Sequence, residues 1–246
     1  MSACRLGKFG ARKLLYKPYW GLTFTAEEAN VVINMAKVGS PLNVVTLETS
    51  FDGATWTSFD ADNQTTPITL ANVGDKVYFR SGTGGNETIS SNVRNYRRFS
   101  STGLFSASGN IMSIIDGTDP SLTEVADLAF LRLFSGNPIT SAPDLPALTL
   151  CGRCYGYMFY NCTHLIKAPF LPSTDVATNQ YDRMFYGCSS LTEISVSFTS
   201  WPTTSVSWVN GVAATGTFYC PAALGTNETI TRGVDACPEG WTVVNI

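Results

Sequence analysis

The sequence predicts a mainly β chain in two parts, a small strand sandwich followed by a stack of short repeats. Three observations carry this. Residues 22–99 read as short strands separated by turn residues, residues 133–194 repeat every 25 or 26 positions, and charge is scarce throughout. Of 246 residues, 14% are charged and 44% hydrophobic, whereas a globular chain averages roughly 25% charged. A neutral surface rich in Ser, Thr, Asn and Gly suits β-structure better than a helical bundle. The same figures argue against a coiled coil, which needs charged heptads, and against disorder, which goes with few aromatics and high net charge. A net charge of −3 argues against bulk attraction to nucleic acid. No stretch approaches the ~20 apolar residues of a membrane-spanning helix.

Residues 1–20 form a basic segment of their own. They carry Arg5, Lys8, Arg12, Lys13 and Lys17 with no acid, while the other 226 residues hold 11 basic and 19 acidic side chains, a balance of −8. Phe9, Tyr16, Tyr19 and Trp20 are interleaved with the basic residues. Arg and Lys beside aromatic anchors suit docking on an acidic partner surface, and aromatics are costly to leave in water. The segment therefore reads as an anchoring arm. A solvated terminus and contact with nucleic acid or lipid are the alternatives. Its apolar cluster, Leu14-Leu15-Tyr16, is shorter than the ~7–15 residues of a secretory core. The expectation is a chain made and folded in the cytoplasm, although one trimmed of its leader would look the same.

Residues 21–99 give six or seven strands. Asn43–Ser50 is rich in β-branched residues, Asp52-Gly53 follows, and Ala54–Phe59 resumes the strand pattern. Asp-Gly between two such runs is a hairpin signal because Gly tolerates positive φ. Pro67–Leu70, a turn at Asn72–Asp75, Lys76–Arg80 and a turn at Gly82–Asn86 continue the meander. This count and spacing fit an immunoglobulin-like β-sandwich. The run from Ser50 to Trp56 also occurs in carbohydrate-binding sandwiches. The preferred expectation is that Trp56 fills the core behind the hairpin, with glycan contact as the alternative. Asp60 and Asp62 fall far short of the six to eight oxygens calcium takes.

The second half repeats. Leu133–Pro146, Met158–Pro172 and Met184–Ile194 align, with Phe159 to Phe185, Cys162 to Cys188 and Pro143 to Pro169 each 26 apart and Phe134 to Phe159 25 apart. Leu, Phe and Cys or Asn at fixed offsets in such a period are a leucine-rich-repeat signature: no repeat buries its apolar face alone, and stacking makes one core. Phe134, Phe159 and Phe185 should stack on one another. Asn137, Cys162 and Cys188 should form an inner ladder beside a turn, with the Pro-containing segments on the opposite, extended side. This divides the chain into an arm at 1–20, the sandwich at 21–99, a connector and repeats at 100–200, and a cap at 201–246.

The blocks Met158–Leu165 and Met184–Leu191 resemble the BspA-like, Treponema-type leucine-rich repeats, marked by Phe-x-x-Cys-x-x-Leu. Ser108–Gly117 resembles the connector, and Trp208–Pro221 with Pro238–Val243 the closing cap, of a group of such chains from gut Bacteroides and their phages, crAss-like phages included. The likeness runs from residue 21 onward and leaves the arm uncovered. It implies either a surface protein of the bacterium or a virion component of the phage.

Chemistry is sparse in the sequence. Seven cysteines, at 4, 151, 154, 162, 188, 220 and 237, are an odd count that no disulfide framework within one chain can exhaust. Cys162 and Cys188 read as small apolar core residues. Cys151, Cys154, Cys220 and Cys237 are read chiefly as reduced core or cap thiols, with a disulfide or a Cys4 zinc site as lesser alternatives. His164, the sole histidine, sits beside Cys162 in a repeat that turns Cys162 inward and His164 away, with no orienting partner of the kind nucleophilic catalysis requires. The reading is a non-enzymatic chain without catalytic, cofactor-binding or metal residues. Its expected function is a bacteriophage virion protein, a head or tail fibre or capsid decoration subunit assembled in the host cytoplasm. The arm would grip capsid or tail proteins, and the repeats would be exposed for adhesion to a host-surface glycan or protein. It is expected to be a homo-oligomer, as closed symmetry is common, with a trimer favoured. The alternative is a secreted or cell-surface bacterial adhesin.

Overall fold

The computed structural model describes residues 21–40, 43–62, 67–176, 179–201 and 206–246; the arm lies outside them. The described residues are mainly β, in several sheets, without an α-helix. Eight strands come first: β1 (Thr23–Ala26), β2 (Val31–Val38), β3 (Leu47–Ser50), β4 (Thr57–Phe59), β5 (Ile68–Leu70), β6 (Lys76–Ser81), β7 (Tyr96–Ser101) and β8 (Phe105–Ser108). They make two antiparallel sheets, ordered β4-β3-β6-β1-β8 and β5-β2-β7. Alternation sets their inner faces, because successive side chains on a strand point to opposite sides. Val31, Ile33 and Met35 of β2 and Val77 and Phe79 of β6 are buried. Phe24 of β1 sits at the centre, its ring 4.9 Å from Phe79, 4.8 Å from Phe99 and 4.9 Å from Phe105.

A charged side chain is buried among these. Arg97 of β7 has no exposed surface. Its Nε donates to Asp62 Oδ1 at 2.6 Å, Nη1 to Asn43 Oδ1 and the Ile89 carbonyl, and Nη2 to the Asn43 carbonyl at 2.9 Å. Every donating nitrogen of the fork is thus satisfied, the condition under which a buried guanidinium is tolerated. Asp62 also meets Lys37 at 3.3 Å. The hydrogen bond from Arg97 leads the causes that hold its carboxyl below the usual range, against the opposing cost of burial.

The region after β3 departs from the sequence expectation. Strand β4 starts only at Thr57, so the turn is a wide loop rather than a two-residue hairpin. Asp52 shapes it, accepting from the Ala54 and Thr55 amides at 2.8 and 2.7 Å. These bonds pull its carboxyl pKa down. Trp56 does not fill the core. It is half-buried with the Arg80 guanidinium 4.2 Å over its ring, while Phe59 takes the inward place against Phe79 at 5.7 Å. A loop closed by local side-chain acceptors absorbs residues that would otherwise have extended the strand, and this moves Trp56 off the strand face.

Beyond a 3₁₀ turn at Ile111–Ile114 the chain winds in stacked coils. Its short strands, β9 (Glu124–Val125), β10 (Thr149–Leu150), β11 (Glu193–Ser195), β12 (Thr217–Cys220) and β13 (Thr242–Asn245), pair in parallel as β9–β10 and β11-β12-β13. On one side, parallel bridges run from Ser141 to Lys167 to Glu193 and on through Thr217 to Thr242. The opposite side is a ribbon of tight turns in which backbone donors alternate. The amides of Phe130, Arg132, Phe134 and Gly136 reach the carbonyls of Cys154, Gly156, Met158 and Tyr160 in the next coil. Those of Leu131, Leu133, Ser135 and Asn137 bond back three residues within their own coil. Tyr155–Cys162 and Arg183–Cys188 repeat this arrangement, so the irregular-looking turns leave few backbone groups unpaired.

The two halves share one core, continuous from Leu22 to Val243. Phe99 of β7 stacks on Phe134 at 5.7 Å, Phe134 on Phe159 at 5.4 Å, and Phe159 on Phe185 at 5.8 Å, with Trp208 next at 6.0 Å. The sandwich also supplies the first backbone layer: the Phe99 amide donates to Leu133 at 2.8 Å, and the Ala107 amide of β8 to Ser141 at 2.9 Å. One strand from each sheet thus templates one side of the coil. Burying each Phe stabilises by about 1.5–3 kcal/mol.

Candidate interaction face

The arm residues Arg5, Lys8, Phe9, Arg12, Lys13, Tyr16, Lys17, Tyr19 and Trp20 lie outside the described residues. The ladder residues lie in the core. Phe134, Phe159, Phe185, Cys162 and Cys188 have no exposed surface, and Asn137 is 3% exposed. Asn137 Nδ2 donates to the Phe99 carbonyl at 2.6 Å, Cys162 Sγ to that of Phe134 at 3.0 Å, and Cys188 Sγ to that of Phe159 at 3.0 Å. One contact is therefore made three times, each side chain satisfying a Phe carbonyl in the preceding layer. Burial pushes the Cys162 thiol up to about 12 and that of Cys188 well above its ordinary value, which keeps both as S–H donors.

The remaining chemistry-bearing residues do not converge. Cys151 is exposed, Cys154, Cys220 and Cys237 are buried, and all four are free thiols. His164 is exposed and touches Thr163. Among the described residues, no three His, Cys, Asp or Glu side chains come close enough to hold a metal ion, and no helix is long and apolar enough to cross a membrane.

A surface that the apolar repeat pattern conceals stands on the turn side. Three columns of residues there have positive φ: Leu128, Arg153 and Asn179; Arg132, Tyr157, Arg183 and Ser207; and Gly136, Asn161, Gly187 and Gly211. The last column has the residues this conformation favours, Gly and Asn. The middle one does not. Its first three side chains build a stack along the coil axis with Tyr96 at its head. The Arg132 guanidinium lies 5.2 Å from the Tyr96 ring centre and 4.1 Å from that of Tyr157, and Arg183 lies 5.3 Å from Tyr157 on the next layer. Cation–π contacts of this kind stabilise by about 0.5–2 kcal/mol, which offsets the backbone strain. Arg183 Nη1 also donates to the Tyr157 hydroxyl and, at 3.3 Å, to Asp182. Beside this stack, Tyr160 and Tyr186 lie parallel at 5.0 Å.

The charge of this face is lopsided. It carries Arg132 and Arg183, exposed Arg153, and Arg98, whose Nη1 donates to the Ser135 carbonyl at 2.6 Å. The Nε atoms of Arg98 and Arg132 are buried without an acceptor. The acid that interacts with Arg183, Arg153 and Arg132 is Asp182, 5% exposed, whose pKa burial raises against their pull. The signal for the face was in the sequence, since Arg132, Tyr157 and Arg183 are spaced 25 and 26 apart, in step with Phe134, Phe159 and Phe185. On the extended side a second feature, a cleft of about 410 Å³, is lined by Asn110, Asp144, Leu145, Pro146, Phe170 and Pro172.

Compared with family models, curated proteins and solved structures, the chain matches none.

Proposed function

We propose that this chain is a non-enzymatic structural subunit of a bacteriophage virion, a head or tail fibre or decoration protein. In this reading an immunoglobulin-like sandwich carries a short leucine-rich-repeat solenoid of the BspA-like kind, residues 1–20 anchor it to capsid or tail proteins, and the repeats face outward. The observation that carries it is the shared core. With Phe99 and Ala107 templating the coils, sandwich and repeats form one stiff body, suited to holding a surface away from an anchor. The thiol ladder supports the same reading, since Cys162 and Cys188 serve as S–H donors and thiols persist in the reducing cytoplasm where virions assemble. Assembly as a homo-oligomer, a trimer, belongs to the proposal.

The direct test is to band particles from a lysed producing culture on a density gradient and quantify the chain in each fraction by mass spectrometry. Co-banding with DNA-filled particles at fixed stoichiometry is expected, with loss of incorporation when residues 1–20 are deleted from an otherwise folded chain. Recovery in cell envelopes alone would replace the virion reading by the surface-adhesin one.

A further inference from the structure

Of the four arginines on this face, Arg132, Arg153 and Arg183 interact with the buried carboxylate of Asp182, while Arg98 donates to the Ser135 carbonyl. Two of their Nε donors lack acceptors. A partly buried cluster of like charge is costly unless a counter-charge reaches it, and the face belongs to a body whose balance from residue 21 onward is −8. Charge complementarity therefore calls for an anionic partner.

The aromatic residues narrow its chemistry. Tyr157 lies between Arg132 and Arg183, and Tyr160 and Tyr186 cover each other. Nucleobases bind proteins that lack sequence readout by stacking on open ring faces, and here the rings are largely engaged with one another. What they offer are edges and hydroxyls, which pair with sugar hydroxyls, beside guanidinium forks that pair with carboxylate or sulfate. Arg132, Arg153 and Arg183 stand on three successive coils, Arg153 one column aside from the other two, with Arg98 before them on β7. The charges thus follow the coil axis, as on extended solenoid surfaces, and match a linear polymer that carries repeated charge. We infer that the Arg98–Arg132–Arg153–Arg183 face with Tyr157, Tyr160 and Tyr186 is a binding site for an acidic polysaccharide. The inference deepens the reading of the repeats as an exposed adhesive surface, but it does not depend on residues 1–20 or on incorporation into a particle.

The test is calorimetric titration of the full chain with polygalacturonate, with neutral dextran and with a single-stranded oligonucleotide, at two salt concentrations. Polygalacturonate is expected to bind, more weakly at higher salt, with dextran silent and the oligonucleotide at least tenfold weaker. Arg153→Glu, at an exposed position, should weaken polygalacturonate binding about tenfold with the unfolding midpoint unchanged. Arg132→Gln should weaken it further, circular dichroism checking its fold. Equal binding of dextran, preference for the oligonucleotide, no binding of polygalacturonate, or wild-type affinity in Arg153→Glu would each overturn the inference. Particle co-banding is read separately, so a virion subunit that ignores polygalacturonate and a glycan binder absent from particles give different results.

Discussion

The sandwich and the coil stack solve the same problem by opposite means. In the sandwich each contact is made once: Arg97 reaches Asp62, Asn43 and Ile89 from three separate segments, and no other layer repeats it. In the stack each contact is made several times, as with the Phe column and the Asn137, Cys162 and Cys188 side chains that bond to it. Unique contacts specify one arrangement of the strands. Repeated contacts specify a column, whose stability accumulates layer by layer between neighbours. The two schemes meet at Phe24, Phe99 and Phe134, whose rings lie 4.8 to 5.9 Å apart.

The largest expected effect comes from interrupting the column. Phe159→Ala removes a ring stacked on both sides and should cost about 3–5 kcal/mol in urea unfolding. A loss below 1 kcal/mol would mean the coils do not depend on their neighbours. Next comes the unique contact. Asp62→Asn leaves the fully buried Arg97 without its counter-ion and should cost about 2–3 kcal/mol, less than a fully buried pair because Asp62 is itself 43% exposed. The sign with pH follows from the lowered carboxyl. The pair's contribution is present above the unfolded value of about 3.9 and is lost as pH falls through the lower folded value. Wild-type stability should therefore drop on acidification over that range, and the Asp62→Asn chain should lack this component of the drop. The smallest effect separates surface from core. Trp56→Ala removes a ring packed under Arg80 and should cost less than about 1 kcal/mol, whereas a core tryptophan would cost about 3–5 kcal/mol.

Much of this was legible in residue order. Period-two alternation marks β2 and β6, and the 25–26 spacing marks the buried Phe and Cys positions, because both periods report which side chains leave water. Trp56 was not legible, since the acceptors of Asp52 set the loop width and composition cannot say where a strand resumes. The Arg–Tyr face was hidden for another reason. Its residues follow the same period, but Arg and Tyr are not an apolar signature, and positive φ at Arg132, Tyr157 and Arg183 goes against residue preference. The coil imposes that conformation by alternating bonds within and between layers.

The claim that most of the account rests on is that sandwich and stack are one body joined through β7 and β8. Native-state hydrogen exchange measures it directly, because each amide reports the free energy of the opening that exposes it. The account predicts that the amides of Val77 and Phe79 in β6, Phe99 in β7, and Phe134 and Phe159 in the coils exchange through a common opening, with one free energy equal to that of global unfolding. Exchange of the sandwich amides through a lower-energy opening while the coil amides stay protected, or the reverse, would contradict it.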